Sequence, residues 1–207
     1  MSKSGDLDIE VNGVLWSIGW KAKEIFGALA IISLFILVTD FPRWVAGAVF
    51  VAGVVIPLVG LLYVWTNLKD IHDTALEQIH DSVEALVGAD GEDIERYSLL
   101  NNAKFGMLLP PHEFYATTLV LTDTHLIIHD GGVVELPKLK WSLKENVFEY
   151  PFDRMTDLDY EPAEDFTKFG QFAITLEGEE PDVYQFSRAP DEAFEAVRRR
   201  FRSASSE

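Results

Sequence analysis

The sequence predicts an α+β membrane protein, built as an N-terminal transmembrane helical hairpin, a helical stalk and a C-terminal seven-stranded β-sandwich or barrel with a capping C-terminal helix. Three observations predict it. Two apolar runs, residues 25–38 and 44–65, are separated only by Thr39-Asp40-Phe41-Pro42-Arg43. Apolar positions then recur every three or four residues from 67 to 87, the period of a helix. After residue 112 the period falls to the alternation of strands, and a final amphipathic segment closes the chain.

The second apolar run has 22 residues and no charge. At ~1.5 Å per residue it reaches roughly 33 Å, enough for a hydrocarbon core of ~30 Å. The first run, 14 residues long, needs Lys21, Lys23 and Glu24 to reach toward the headgroups. Residues 1–20 form a polar, then interfacial, N-terminal segment, and 21–66 form the hairpin. Trp16, Trp20, Trp44 and Trp65 are the expected membrane-interface anchors, because indole favours the headgroup layer. A cleaved signal peptide is disfavoured by Asp6, Asp8 and Glu10, by the lack of Ala-x-Ala after the run, and by the second run that follows at once.

Ala46, Gly53 and Gly60 recur every seven residues and form a helix-packing seam where another helix can approach closely. Gly27, Ala30 and Ser33 offer small residues on the other arm, the natural partner, and homodimerisation through the seam is the alternative. Pro57 predicts a bend, since its ring meets the carbonyl of Gly53. Neither run contains Asp, Glu, Lys, Arg or His, which argues against proton relay or ion transport. Lys21, Lys23 and Lys69 flank the spans on one side against Arg43 alone in the turn. That bias predicts a cell-membrane protein with two spans and both termini in the cytoplasm.

Charge is uneven. Residues 1–66 carry 4 basic and 5 acidic side chains, whereas 67–207 carry 13 and 29, a net of −16. Such a surface repels nucleic acid and anionic lipid, so nucleic-acid partners are not expected. The composition resembles that of halophilic archaeal proteins, in which molar salt cuts the Debye length to ~3 Å and screens the self-repulsion. There is no cysteine, hence no disulfide, thiol catalysis or thiolate metal site.

Residues 67–104 read as a helical stalk and linker. Leu68, Ile71, Ala75, Ile79, Val83 and Leu86 form the stripe of the stalk, and a polar break begins at Gly88. His72 and His80 lie eight residues apart, about 12 Å along a helix, too far to share a metal, and read as exposed. Residues 94–104 read as a short helix or linker. Residues 113–121 and 125–130 read as strands around Thr122-Asp123-Thr124, with Gly131-Gly132 turning the chain into another strand at Val133-Val134. Segments 139–144, 146–152, 156–160, 171–176 and 183–187 follow as strands. The last helix has Pro190 in its first turn, Asp191, Glu192 and Glu195 early, and Arg198, Arg199, Arg200 and Arg202 late, an order that complements the helix dipole. Phe194, Val197 and Phe201 form its buried stripe.

Three segments carry a family likeness. Leu121-Thr-Asp-Thr-His-Leu-Ile-Ile-His-Asp130, Phe148-Glu-Tyr-Pro-Phe-Asp-Arg-Met-Thr-Asp-Leu-Asp159, and Tyr184-Gln-Phe-Ser with the helix after it are similar to the hairpin, middle strand and closing elements of the pleckstrin-homology (PH) superfold. The likeness is to its GRAM and bacterial PH-like branches, over residues 105–202, with 203–207 as a tail. It differs in having His125 where those families often carry Arg or Lys. The resemblance implies a packing scaffold, and a phosphoinositide site would need Lys or Arg around the first hairpin, whereas 105–137 contain neither.

No catalytic motif stands out: Gly-x-Ser-x-Gly, Walker A and dinucleotide fingerprints are all absent. His125 and His129 lie four residues apart, about 13 Å on a strand, so they cannot hold one ion. Asp153, Asp157, Asp159, Glu161, Glu164 and Asp165 lack a calcium-loop pattern. No metal or cofactor is expected. Lys138, Lys140 and Lys144 around Trp141 are the candidate contact for a partner or for lipid headgroups. The expected function is a non-enzymatic, membrane-anchored adaptor with an unidentified protein partner. The alternative is a lipid- or small-ligand-sensing module at the membrane surface.

Overall fold

The computed structural model describes residues 3–39, 41–87, 94–102, 111–144, 146–163 and 169–204. In chain order the elements are β1 (Lys3–Asp6), α1 (Gly13–Trp20), α2 (Ala22–Leu37), α3 (Arg43–Val87), β2 (Glu95–Asn102), β3 (Glu113–Leu121), β4 (His125–Glu135), β5 (Lys140–Leu143), β6 (Val147–Pro151), β7 (Met155–Glu161), β8 (Gly170–Leu176), β9 (Asp182–Phe186) and α4 (Asp191–Ala204). The protein is α+β, with four helices and two antiparallel sheets among the described residues. It divides into two compact units, an apolar one on residues 8–74 and a β-rich one on 3–7, 75–102 and the described residues from 111 onward.

In the apolar unit, the Asn12 side chain caps α1 by accepting from the Val14 and Leu15 amides at 3.2 and 3.1 Å. The helix breaks at Lys21, so α2 has 16 residues, roughly 24 Å long and shorter than the ~30 Å hydrocarbon core. Among the described residues, α3 is the one helix long and apolar enough to cross a membrane, and it runs through Pro57 as a single 45-residue element. α1 and α2 run antiparallel to it. The Asn12 amide donates to the Tyr63 hydroxyl at 2.7 Å, and the Ser33 hydroxyl donates to the Ala46 carbonyl at 2.9 Å. Between these ends the Phe26 ring meets Phe50 edge-on at 6.5 Å.

Ala46, Gly53 and Gly60 all face α1 and α2. A Cβ on Gly60 would lie 2.6 Å from the Gly19 amide nitrogen and one on Gly53 2.8 Å from the Leu29 Cβ, so only glycine permits the approach. A side chain at Gly27 would meet open space. Trp16 and Trp20 are buried and pair edge-to-face at 5.6 Å, which withdraws them from the role of exposed anchors. Trp44 and Trp65 are exposed, as are Leu34, Phe35, Val51, Leu58 and Leu62.

In the β-rich unit a six-stranded sheet runs β1-β5-β4-β3-β2, with β6 also paired to β4, and a three-stranded sheet runs β7-β8-β9. β4 is long enough to hold β6 along His125–His129 and β5 along Gly132–Glu135. The sheets enclose a core that includes Leu119, Leu121, Leu126, Ile128, Phe152 and Phe172, on which Phe194 of α4 packs. One isolated bridge, Leu100 to Arg188, joins β2 to the chain just after β9. Among the described residues the strands form two separate sheets and no closed barrel.

Several expectations are corrected. Residues 95–102, read as helix or linker, form β2, paired with β3 along its whole length. Tyr97 and Leu99 face the core on alternate positions, a period of two hidden by the Leu99-Leu100 pair. The polar start of the chain is β1, joined to β5 by backbone pairing that no side-chain pattern announces. Gly131-Gly132 does not end a strand, because β4 continues through it to Glu135. His80 is half-buried, with Nε2 2.6 Å from the Ser98 hydroxyl, and His72 also lies partly covered beside Asp73. The polar break expected at residues 88–93 and the domain start expected at 105 lie outside the described residues, as do Asp40, Glu164 and Asp165.

Candidate functional site

The candidate site is an open groove of 610 Å³ in the β-rich unit, where the two sheets part. Its shape begins in β4. At Gly131 the backbone takes φ +132°, and β4 passes from one neighbour to the next. The Asp130 amide donates to the Asn146 carbonyl at 2.9 Å, and the Lys144 amide donates to the Gly131 carbonyl at 3.1 Å. A Cβ at Gly131 would stand 3.0 Å from the Lys144 Cβ, so both the backbone angle and the space call for glycine. The register of β3 against β4 shifts at Ala116/Thr117, beside this point.

β3 supplies Tyr115 and Thr117 to the groove, β4 Asp130, the β5–β6 joint Lys144 and Asn146, and β6 Phe148. The far wall is four consecutive residues of β9, Asp182, Val183, Tyr184 and Gln185. Neighbouring side chains of a strand point to opposite faces, so four in a row line one groove only if the strand is presented edge-on. Among the described residues β9 is the last strand of its sheet, and the Leu100–Arg188 bridge lies just beyond its end.

A hydrogen-bonded chain organises one side of the site. The Tyr150 hydroxyl donates to Asp182 at 2.8 Å, and with that proton committed the Tyr184 hydroxyl donates to Tyr150 at 2.6 Å. Burial, together with the Asp182 and Asp130 charges, pushes the Tyr184 phenol up to about 12, and burial holds Tyr150 above its ordinary value too. Both phenols are therefore neutral donors at ordinary pH. The Thr117 hydroxyl donates to Asp130 at 2.8 Å. Two carboxylates and one amine, Lys144, leave the lining with a net charge of −1 among the described residues. Tyr115, Phe148 and Val183 are 40, 44 and 51% exposed, an apolar group set in an acidic surface.

Beneath the groove lies a polar row. His129 is fully buried and its Nε2 donates to the Lys144 carbonyl at 2.7 Å, while Nδ1 has no hydrogen-bond partner among the described residues. Thr118, opposite it in register, has a buried hydroxyl without a partner among the described residues. Burial holds the His129 imidazole below its ordinary value, and burial together with Arg96 does the same for His80.

The structure disperses the basic cluster proposed from sequence. Lys138 is paired with Glu135, Lys140 with Asp6 at 3.6 Å, and Lys144 lines the groove. Trp141 is buried beneath β1, where a Cβ on Gly5 would touch its ring at 3.2 Å. The arginine run of α4 is drawn into ion pairs: Arg199 meets Glu95 at 3.1 Å, and Arg200 meets Glu95 and Asp123. His125 hydrogen-bonds Thr124 at 2.7 Å, and no group of three or more metal-ligating side chains occurs among the described residues. Sequence reasoning missed Tyr115, Asp130, Asp182 and Val183 as site residues. The exposed aromatic at Phe148 and the glycine pair after Asp130 were the signals available.

No family model matches this chain, and a comparison with curated proteins finds no match.

Proposed function

We propose that this protein is a non-enzymatic adaptor that holds a PH-like domain at the cytoplasmic face of the cell membrane and binds another protein there. The observation that carries the reading is the groove, where Tyr115, Phe148 and Val183 are exposed together beside β9, the last strand of its sheet among the described residues. Apolar side chains gathered on an otherwise charged surface mark interaction sites. The anchor is a two-span hairpin in which α3 crosses fully and α2, with α1 before it, crosses as the shorter arm. The exposed apolar side chains of α2 and α3 support this, as does the small-residue seam between the arms. A net of −16 downstream of the spans suits a cell interior rich in salt. Tethering confines the domain to a surface, which raises the effective concentration of any partner held there.

Lipid sensing through the lysines is the weaker reading. Two of the three are engaged with carboxylates, and the tryptophan between them is covered.

The test is crosslinking of the full chain in native membranes at high salt. Crosslinked protein species that disappear on Tyr115→Ala with Phe148→Ala, and persist on Lys138→Glu with Lys140→Glu, are the expected result. Species indifferent to the groove and lost with the lysines would overturn it. Protease added to sealed inside-out vesicles should digest residues beyond 66, and protection there would reverse the orientation.

A further inference from the structure

We infer that Asp157 and Asp159 close β7 to strand addition by a second copy of this chain, because their carboxylates occupy the backbone amides that such a strand needs. Among the described residues β7 is the first strand of its sheet, with β8 beside it. Its seven residues offer roughly 23 Å of edge at ~3.3 Å per residue. An edge of that length is a template for pairing with another chain. Tethering to a membrane, as in the function proposed above, brings neighbouring copies together at high effective concentration and sharpens the need for a guard.

The ladder decides which amides are at stake. The Glu177 amide donates to the Arg154 carbonyl at 3.0 Å, so Glu177 faces β7, as do the residues two, four and six before it on β8: Thr175, Ala173 and Gln171. Opposite these three stand Asp157, Asp159 and Glu161, whose amides therefore point at β8, and the amides of Leu158 and Tyr160 point away from it. Both outward amides are taken. Leu158 donates to Asp157 Oδ1 and Tyr160 to Asp159 Oδ1, each at 2.9 Å and each at the exposed surface. A carbonyl oxygen of an incoming strand would meet a carboxylate oxygen at both places, acceptor against acceptor. The next position is spoiled differently. The register shifts between Met155 and Asp157, and the Thr156 hydroxyl donates back to the Thr175 carbonyl at 3.2 Å, so the strand is bulged there.

The guard is held in place from behind. Leu158 and Tyr160 pack on the core, and the Tyr160 ring stacks on Phe194, which fixes the direction of their amides. Charge alone would guard poorly. Antiparallel pairing of two β7 strands would bring the exposed Asp157, Asp159 and Glu161 of both copies close together, but at a Debye length of ~3 Å their repulsion is largely screened. A hydrogen bond at contact distance persists in the same salt.

The experiment mixes two separately labelled populations of the full chain in detergent micelles at molar salt and reads self-association by energy transfer. Asp157→Ala with Asp159→Ala removes both acceptors, and that variant should associate at a concentration at least tenfold below any at which wild type does. Asp157→Asn with Asp159→Asn keeps an acceptor oxygen at each position without the charge and should behave as wild type. Glu177→Ala with Glu180→Ala removes the same charge outside β7 and should do likewise. An alanine pair on β7 no more associated than wild type would overturn the inference. So would an asparagine pair, or the variant at Glu177 and Glu180, that associates as readily as the β7 alanine pair, since loss of charge would then be the cause. Hydrogen exchange separates edge pairing from misfolding. The dilute alanine pair should exchange as wild type does outside β7, and on association protection should rise across residues 155–161. Protection gained only elsewhere would also overturn it.

Discussion

The two ends of β2 differ in what lies beside them, although only six residues, about 20 Å, separate Glu95 from Asn101. At Glu95 the unit is closed. Arg199 and Arg200 of α4 converge on that carboxylate, Tyr97 donates to it at 2.9 Å, and Phe194 is buried against Tyr160, Phe172 and Phe186. At Asn101 the unit is open. Among the described residues one bridge, Leu100 to Arg188 after β9, joins the two sheets here, aromatic rings remain exposed, and two carboxylates lack a basic ion-pair partner. One end of the sandwich spends its aromatic and charged residues on ion pairs and buried ring contacts, whereas the other leaves aromatic rings exposed and holds its carboxylates through hydroxyls alone among the described residues.

The largest effect expected at the closed end is from Phe194→Ala. That ring is 3% exposed, with its centroid 3.6 Å from that of Tyr160, so its loss should destabilise the β-rich unit by about 3–5 kcal/mol. Urea unfolding of the full chain in detergent, followed by near-ultraviolet circular dichroism, measures it, and a loss below about 1 kcal/mol would break the contrast between the ends.

Gly131→Ala comes next, at the open end. A side chain forced to φ +132° against Lys144 should cost about 1–3 kcal/mol and misplace Asp130 and Asn146, which the same midpoint shift reports.

Acid should act through two sets of groups. Burial holds His80 and His129 below 6.5, so the folded state resists their protonation. Their stabilisation is complete above the unfolded value and is lost as pH falls from there through the folded values. The slope of stability between pH 7 and 5 should therefore flatten in His129→Gln. Glu95 is raised by burial, but Tyr97, Arg199 and Arg200 together bring it below 4.5, so its contribution is present above that value and disappears on further acidification. Thermal melts at stepped pH separate the two ranges, and a His129→Gln profile parallel to wild type would sink the histidine assignment.

The smallest effect belongs to the groove. Tyr115→Ala and Phe148→Ala remove exposed rings and should each change unfolding stability by no more than about 0.5 kcal/mol while removing partner crosslinks. A large destabilisation would mean that these rings hold the sandwich together.

Elements whose burial follows a regular local period are legible in the order of residues alone. The apolar run inside α3, the continuation of that helix to Val87, the β3–β4 hairpin around Thr122-Asp123-Thr124 and the amphipathic α4 all declare themselves in this way. The spacing of Ala46, Gly53 and Gly60 marked the helix-facing side of α3 for the same reason. Tertiary structure alone decided the rest. β1 carries no apolar pattern and exists because β5 offers it a free edge, and in pairing there it covers Trp141 and engages Lys140. The groove assembles residues from β2, β3, β4, β6 and β9, from Asn101 to Gln185, placed by the turn of β4 at Gly131 and by the meeting of the two sheets at the Leu100–Arg188 bridge. Periodicity records whether a side chain is buried near its own element. It carries no record of which distant edge that element will meet, and the site depends on that meeting.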